Sequence, residues 1–151
     1  MKPILLVDDS PTMLASMVGV LGRAGLPVEK AASAEEALGR LRAGSPALRL
    51  MITDYHMPGM NGVELVREVR RLSPYRFLPI LMLTTESEQG KRDQARAAGA
   101  TGWLVKPVAP DQLLQVLQQV AIEQRLALLG QAEHRVELGL GLGGHQRLQE
   151  A

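Results

Sequence analysis

Five short apolar runs recur along this chain, and each is followed by a longer segment of helical character. The runs are "PILLV" (3–7), "PVEKAA" (27–32), "LRLMITD" (48–54), "LPILMLT" (78–84) and "TGWLV" (101–105). Runs this short, rich in Ile, Leu and Val and mostly without alternation, suit strands covered on both faces. The segments at 10–25, 33–44, 61–73, 87–99 and 110–129 read as helices, the fourth of them largely polar. Five strands, each chased by a helix, predict an α/β fold: a doubly wound parallel five-stranded sheet with helices on both sides.

Local signals agree with that reading. Ser10 is placed to cap the first helix, with Pro11 in its opening turn. Met13, Leu14, Met17, Val18 and Leu21 then keep helical spacing until Gly25. Ser33 and Glu36 stand at the spacing of a capping box. Val63, Leu65, Val66, Val69 and Leu72 make one apolar stripe that closes before Pro74.

Composition bounds the function. Aromatic residues are 3% of the chain, so Leu, Val, Ile, Met and Ala must build the core. Cysteine is absent, which fits a reducing compartment. A formal net charge of +1 gives no global field to draw in nucleic acid or an anionic membrane. The opening "MKPILLVDD" is too short for a signal-peptide core, and no segment approaches the ~20 apolar residues of a membrane helix. The expectation is a cytoplasmic protein with no nucleic acid or membrane partner.

Residues 1–121 read as one domain. Residues 122–151 read as an extension of the last helix, kept apolar by Ile122, Leu126, Leu128 and Leu129, running into a Gly-rich, mobile tail. Those leucines leave a helix-mediated dimer as the alternative to a monomer. The tail holds a formal G-x-G-x-x-G at Gly139, Gly141 and Gly144. No strand precedes it and no βαβ unit surrounds it, so a dinucleotide site is not expected.

Chemistry gathers elsewhere. In an open parallel sheet, ligands bind beyond the carboxyl ends of the strands, where the winding reverses. The predicted strand ends bring Asp8 and Asp9, Asp54, Thr84 and Lys106 to one rim. Three carboxylates so placed resist joint ionisation unless a cation lies among them. Mg2+ suits such a site: it takes oxygen ligands, keeps waters and pairs with phosphate. Lys106 adds a fixed ammonium and Thr84 a hydroxyl donor. These are the components of phosphoryl transfer onto an aspartate. An adjacent Asp pair also serves as a simple turn or helix cap. Asp54 is harder to explain that way, because a capping aspartate does not need an apolar strand aimed at it.

The segments "LLVDDSPTM", "LMITDYHMPGMNGVEL", "LPILMLTTES" and "AGATGWLVKP" together resemble the receiver domain of two-component response regulators, most of all the single-domain CheY type of chemotaxis. The resemblance spans residues 2–121. It implies a flavodoxin-like (βα)5 fold with strand order 2-1-3-4-5, an order for which CheY is itself a standard example. It implies a phosphorylation-activated regulator, not an enzyme in the ordinary sense, that takes its phosphoryl group on Asp54 from a CheA-like histidine kinase. Asp9 and Asp54 then resemble direct Mg2+ ligands, joined by the main-chain carbonyl of His56, with Asp8 acting through water. Lys106 resembles the phosphoryl-contacting lysine, Thr84 the switch hydroxyl and Trp103 the switch aromatic, turning from exposed to buried. Lys106-Pro107 falls at the family's cis peptide. The signal would leave through the face of helix 4, strand 5 and helix 5, toward a motor or another protein effector.

Three residues depart from the common pattern. His56 and Glu86 each stand two positions after a site residue and face the same opening, where they can set the dephosphorylation rate. Thr85 is bulkier than is usual there. Two other functions compete. One is a phosphate sink or shuttle in a phosphorelay. The other is a Mg2+-dependent aspartyl-phosphate phosphohydrolase of the haloacid-dehalogenase kind. That enzyme class carries D-x-D on its first strand, whereas Asp8 and Asp9 are adjacent and the acceptor lies on the third.

Overall fold

The computed structural model describes residues 1–44, 46–85 and 89–129. Its elements run β1 (Ile4–Val7), α1 (Pro11–Arg23), β2 (Val28–Ala31), α2 (Ala34–Gly44), β3 (Leu50–Asp54), α3 (Gly62–Arg70), a 3-10 turn (Ser73–Tyr75), β4 (Ile80–Thr84), α4 (Gln89–Ala98), β5 (Gly102–Val105) and α5 (Pro110–Leu128). All five strands are parallel, in the order β2-β1-β3-β4-β5. The winding therefore reverses between β1 and β3, beside the carboxyl ends that carry Asp8 and Asp54.

The near-continuous apolar strands are explained by burial on both faces. Successive side chains point to opposite sides of a strand. Ile80 and Met82 thus enter the layer beneath α2, α3 and α4, with Leu41, Leu65 and Val69. Leu81 and Leu83 enter the layer beneath α1 and α5, with Leu21, Leu113 and Val116. Each fully buried Leu or Ile contributes about 1.5–3 kcal/mol over its exposed state.

Helix starts follow the side chains that satisfy their free amides. Ser10 Oγ accepts from Met13 N at 3.2 Å, and Ser33 Oγ from Glu36 N at 3.0 Å. The return bond of Glu36 differs from a standard box, since Oε1 takes the amide of Ala32 at 3.0 Å. A complete capping box sits instead on α3, where Asn61 and Glu64 exchange bonds of 2.9 Å. It follows the same three-residue spacing.

The apolar run 61–73 breaks up. α3 stops at Arg70, Leu72 turns extended, and Ser73–Tyr75 forms a separate turn around Pro74. Pro74 has no N–H to donate to the carbonyl of Arg70, so the α-helix cannot continue through it, which accounts for the break. α5 passes position 121 without interruption and ends at Leu128. The expectations for the tail beyond it, including Gly139, Gly141 and Gly144, lie outside the described residues. No described helix is long and apolar enough to cross a membrane.

Candidate functional site

The rim is built from four strand ends. β1 is extended by Asp8, whose amide donates to Ala31 O at 3.1 Å. Its Oδ1 accepts from Ser10 N at 2.9 Å, so the carboxylate is fixed by the residue that caps α1. Asp8 is 3% exposed and Asp54 4%, while Asp9 is open to solvent. Asp54 closes β3, and Tyr55 N holds that end to β4 through Leu83 O at 2.8 Å. Lys106 leaves β5 with its amide on Thr84 O at 2.8 Å, and its bond to Pro107 is cis.

The side chains meet there. Lys106 Nζ lies 2.9 Å from Asp54 Oδ1 and 3.5 Å from Asp8 Oδ2. Asp8, Asp9 and Asp54 each offer an oxygen within 4.8 Å of the others. Burial pushes the Asp8 carboxyl above its ordinary range. The Ser10 amide and Lys106 oppose that, and the charges of Asp54 and Asp9 add to it. Asp8 Oδ2 is buried with no hydrogen-bond partner, its approach to Lys106 being too long for a strong one. A buried, under-satisfied oxygen among three converging carboxylates fits a hard divalent cation such as Mg2+.

The loop after Asp54 is held by glycines and by a distant acid. Gly62 N donates to Tyr55 O at 3.0 Å. A Cβ on Gly62 would press on the main-chain carbonyl of Asp54 and stand 2.8 Å from Met82 Sδ. Gly59 takes a φ of +78°, open to glycine. Next to it, Glu35 Oε2 accepts from Met60 N at 2.9 Å and ties the loop to the start of α2.

His56 is exposed at this loop, yet its Nε2 lies 3.3 Å from Lys91 Nζ on α4. Tyr55 OH donates to Gln94 Oε1 at 2.8 Å, also on α4. Lys91, Gln94 and Glu35 escaped the sequence reading, because each partner is at least 25 residues away and no local pattern links them. Glu86 lies outside the described residues.

Thr84 is buried, on the same side of β4 as Met82, which pairs in register with Trp103. The expectation of an exposed resting Trp103 is corrected: the indole is 3% exposed. The guanidinium carbons of Arg92 and Arg96 on α4 each lie 5.2 Å from its ring centroid. Cation–π attraction from two arginines favours the covered position. Its Nε1 is buried without a hydrogen-bond partner.

Comparison with known proteins agrees with this geometry. The family model of the response regulator receiver domain matches residues 4–118. Chemotaxis protein CheY1 of Helicobacter pylori is 38% identical, covering 78% of this chain and 94% of its own. The transcriptional activator protein ExaE of Pseudomonas putida is 39% identical over 97% of this chain, which spans 68% of ExaE. Among solved structures, chemotaxis protein CheY4 of Vibrio cholerae superposes with a TM-score of 0.75 and 45% identity, over 80% of this chain and 98% of that one.

Proposed function

This chain belongs to the response-regulator receiver family and is CheY-like, and from that premise we propose that it is a cytoplasmic, phosphorylation-controlled docking protein whose acceptor is Asp54. The observation that carries the reading is the 2.9 Å approach of Lys106 Nζ to Asp54 Oδ1 beside Asp8 and Asp9. A carboxylate clamped by a cation next to a metal-competent acidic pair is arranged to receive a phosphoryl group.

In the proposed reaction, a carboxylate oxygen of Asp54 attacks the phosphorus of a phosphohistidine on a CheA-like histidine kinase. The new P–O bond forms as the P–N bond breaks, and the departing imidazole takes up a proton. Asp9, Asp54 and the carbonyl of His56 would hold Mg2+, with Asp8 beside them. When bound there, Mg2+ would neutralise charge on the phosphoryl oxygens. Lys106 follows the new charge, and the Thr84 hydroxyl donates to it. Thr84 and Trp103 share one side of the sheet, so a shift of one alters the space of the other. Phosphorylation would select the state in which the face of α4, β5 and α5 binds its effector. His56 and Glu86 would set the lifetime of the phosphate. Substituting both without changing that lifetime refutes their role.

The test is incubation with acetyl phosphate and Mg2+, followed by intact mass and Trp103 fluorescence. Wild type is expected to gain one phosphoryl group and Asp54→Ala none. Equal uptake by Asp54→Ala, or uptake indifferent to removal of Mg2+, overturns the reading.

The match to ExaE favours a second output. It covers 97% of the chain and so enters residues 122–151, which supports a transcriptional output rather than a motor. Pull-downs against motor and transcription components, with and without acetyl phosphate, separate the two. Capture of neither would favour a phosphate sink.

A further inference from the structure

The acidic site takes up the carboxyl end of the sheet. At the amino end, among the described residues, lies a groove of about 840 Å3. Ile4, the first residue of β1, and Pro79, just before β4, line it from the sheet. Leu117 and Val120 line it from α5. Phe77 also lines it and is 83% exposed. A phenylalanine left in solvent beside an apolar hollow marks a surface meant to be covered.

The charge of this groove is one-sided. Lys2, Arg49 and Arg125 line it, and no carboxylate does so among the described residues. None of the three takes part in an ion pair among the described residues. An occupant complementary to the groove brings apolar side chains for the hollow and carboxylates for these cations.

That requirement separates the candidates. Nucleic acid offers phosphates but no aliphatic side chains to fill the hollow. A second copy docked symmetrically would set the three cations against the same three. The backbone narrows the choice further. Ile4 N, Arg49 N and Met51 N already donate to Pro27 O, Pro3 O and Pro79 O at 3.0, 2.9 and 3.0 Å. These amides are taken, so they offer an extended segment no ladder to join. A helix satisfies its own backbone and needs side-chain contacts alone.

We propose that this groove docks an acidic amphipathic helix of a partner protein. Its apolar face would lie on Phe77 and Leu117, and its carboxylates would meet Lys2, Arg49 and Arg125. The surface is at the other end of the strands from Asp54, so it stands or falls separately from the phosphoryl reading.

The probe is a synthetic amphipathic helix of leucine and glutamate, titrated into the 15N-labelled full chain and followed by NMR. Shift changes are expected at residues 48–50, 76–79 and 117–125. A counterpart with lysine for every glutamate, and another with serine for every leucine, are each expected to bind ~10-fold more weakly. Phe77→Ser and Lys2→Glu/Arg125→Glu change only exposed side chains, so the fold is kept in both. Each is expected to weaken the leucine–glutamate helix ~10-fold. The proposal is overturned if that helix does not bind, if the lysine counterpart binds as well, or if neither variant weakens it. Shift changes centred away from the groove overturn it too. Larger shifts at the same residues with vesicles of phosphatidylcholine and phosphatidylglycerol would replace the helix by a membrane. The same shifts on raising protein concentration without peptide would replace it by a second copy.

Discussion

Lys106 Nζ stands 2.9 Å from Asp54 Oδ1 and 3.5 Å from Asp8 Oδ2, so one ammonium holds two buried carboxylates at once. It occupies the charge environment that a metal ion would enter. Unit charges ~5 Å apart interact by about 3 kcal/mol at an effective dielectric of 20, before screening by solvent and salt. Lys106→Met is therefore expected to bind Mg2+ about 3- to 10-fold more tightly than wild type. Titration of Trp103 fluorescence, or calorimetry, reads this directly. Weaker binding would mean that the lysine arranges the ligands more than it repels the ion.

Asp8 yields a pH prediction for the metal-free protein. Burial raises its folded pKa above the unfolded value of 3.8. The native state therefore favours the protonated form, and stability from this group is full below the unfolded value and lost as pH rises through the folded one. Asp8→Asn should raise the melting temperature at pH 7, and the gain should vanish below about pH 4. The same substitution should weaken the stabilisation of wild type by Mg2+. A melting temperature that Mg2+ raises equally in the variant would remove Asp8 from the metal site.

Gly62 opens α3, and a side chain there meets the carbonyl of Asp54 and Met82 Sδ. Strand end and helix start have no room to separate without moving Asp54. Gly62→Ala is expected to cost about 1–3 kcal/mol in urea unfolding, as overpacking of a close-packed core does. It should slow phosphate uptake from acetyl phosphate more than Gly90→Ala, which meets nothing within 4 Å. Equal rates in the two variants would show that this contact does not position Asp54.

Trp103 is the one tryptophan, so its emission reports a single site. Arg92 and Arg96 lie over its ring from α4. Removing both with Arg92→Ala/Arg96→Ala should shift the emission to the red and raise quenching by acrylamide. Cation–π contacts contribute roughly 0.5–2 kcal/mol each, so the shift should be partial in either single variant. An unchanged spectrum in the double variant would mean that packing alone holds the indole.

The elements were readable because their cause is local. Short runs rich in Val, Leu and Ile suit strands buried on both faces, and the Ser10 and Ser33 caps follow fixed spacings. The convergence of Asp8, Asp9, Asp54, Thr84 and Lys106 needed only the parallel winding, which puts every strand's carboxyl end on one rim. The covered state of Trp103 was not readable. It depends on two arginines brought over the ring by the packing of α4 on β5.

The same division holds across the molecule. Sequence alone determined the order of strands and helices and the residues of the acidic cluster, since short-range periodicity and chain direction dictate both. Tertiary structure decided the contacts between residues far apart in the chain: Lys106 on Asp54 and Asp8, Glu35 on the Met60 amide, Lys91 beside His56. It also decided the fan of Arg70, whose guanidinium reaches the carbonyls of Gly99 and Tyr75 at 2.7–2.9 Å. Such pairs are chosen by how helices settle against the sheet, and that settling minimises free energy over the whole core, which no local pattern encodes.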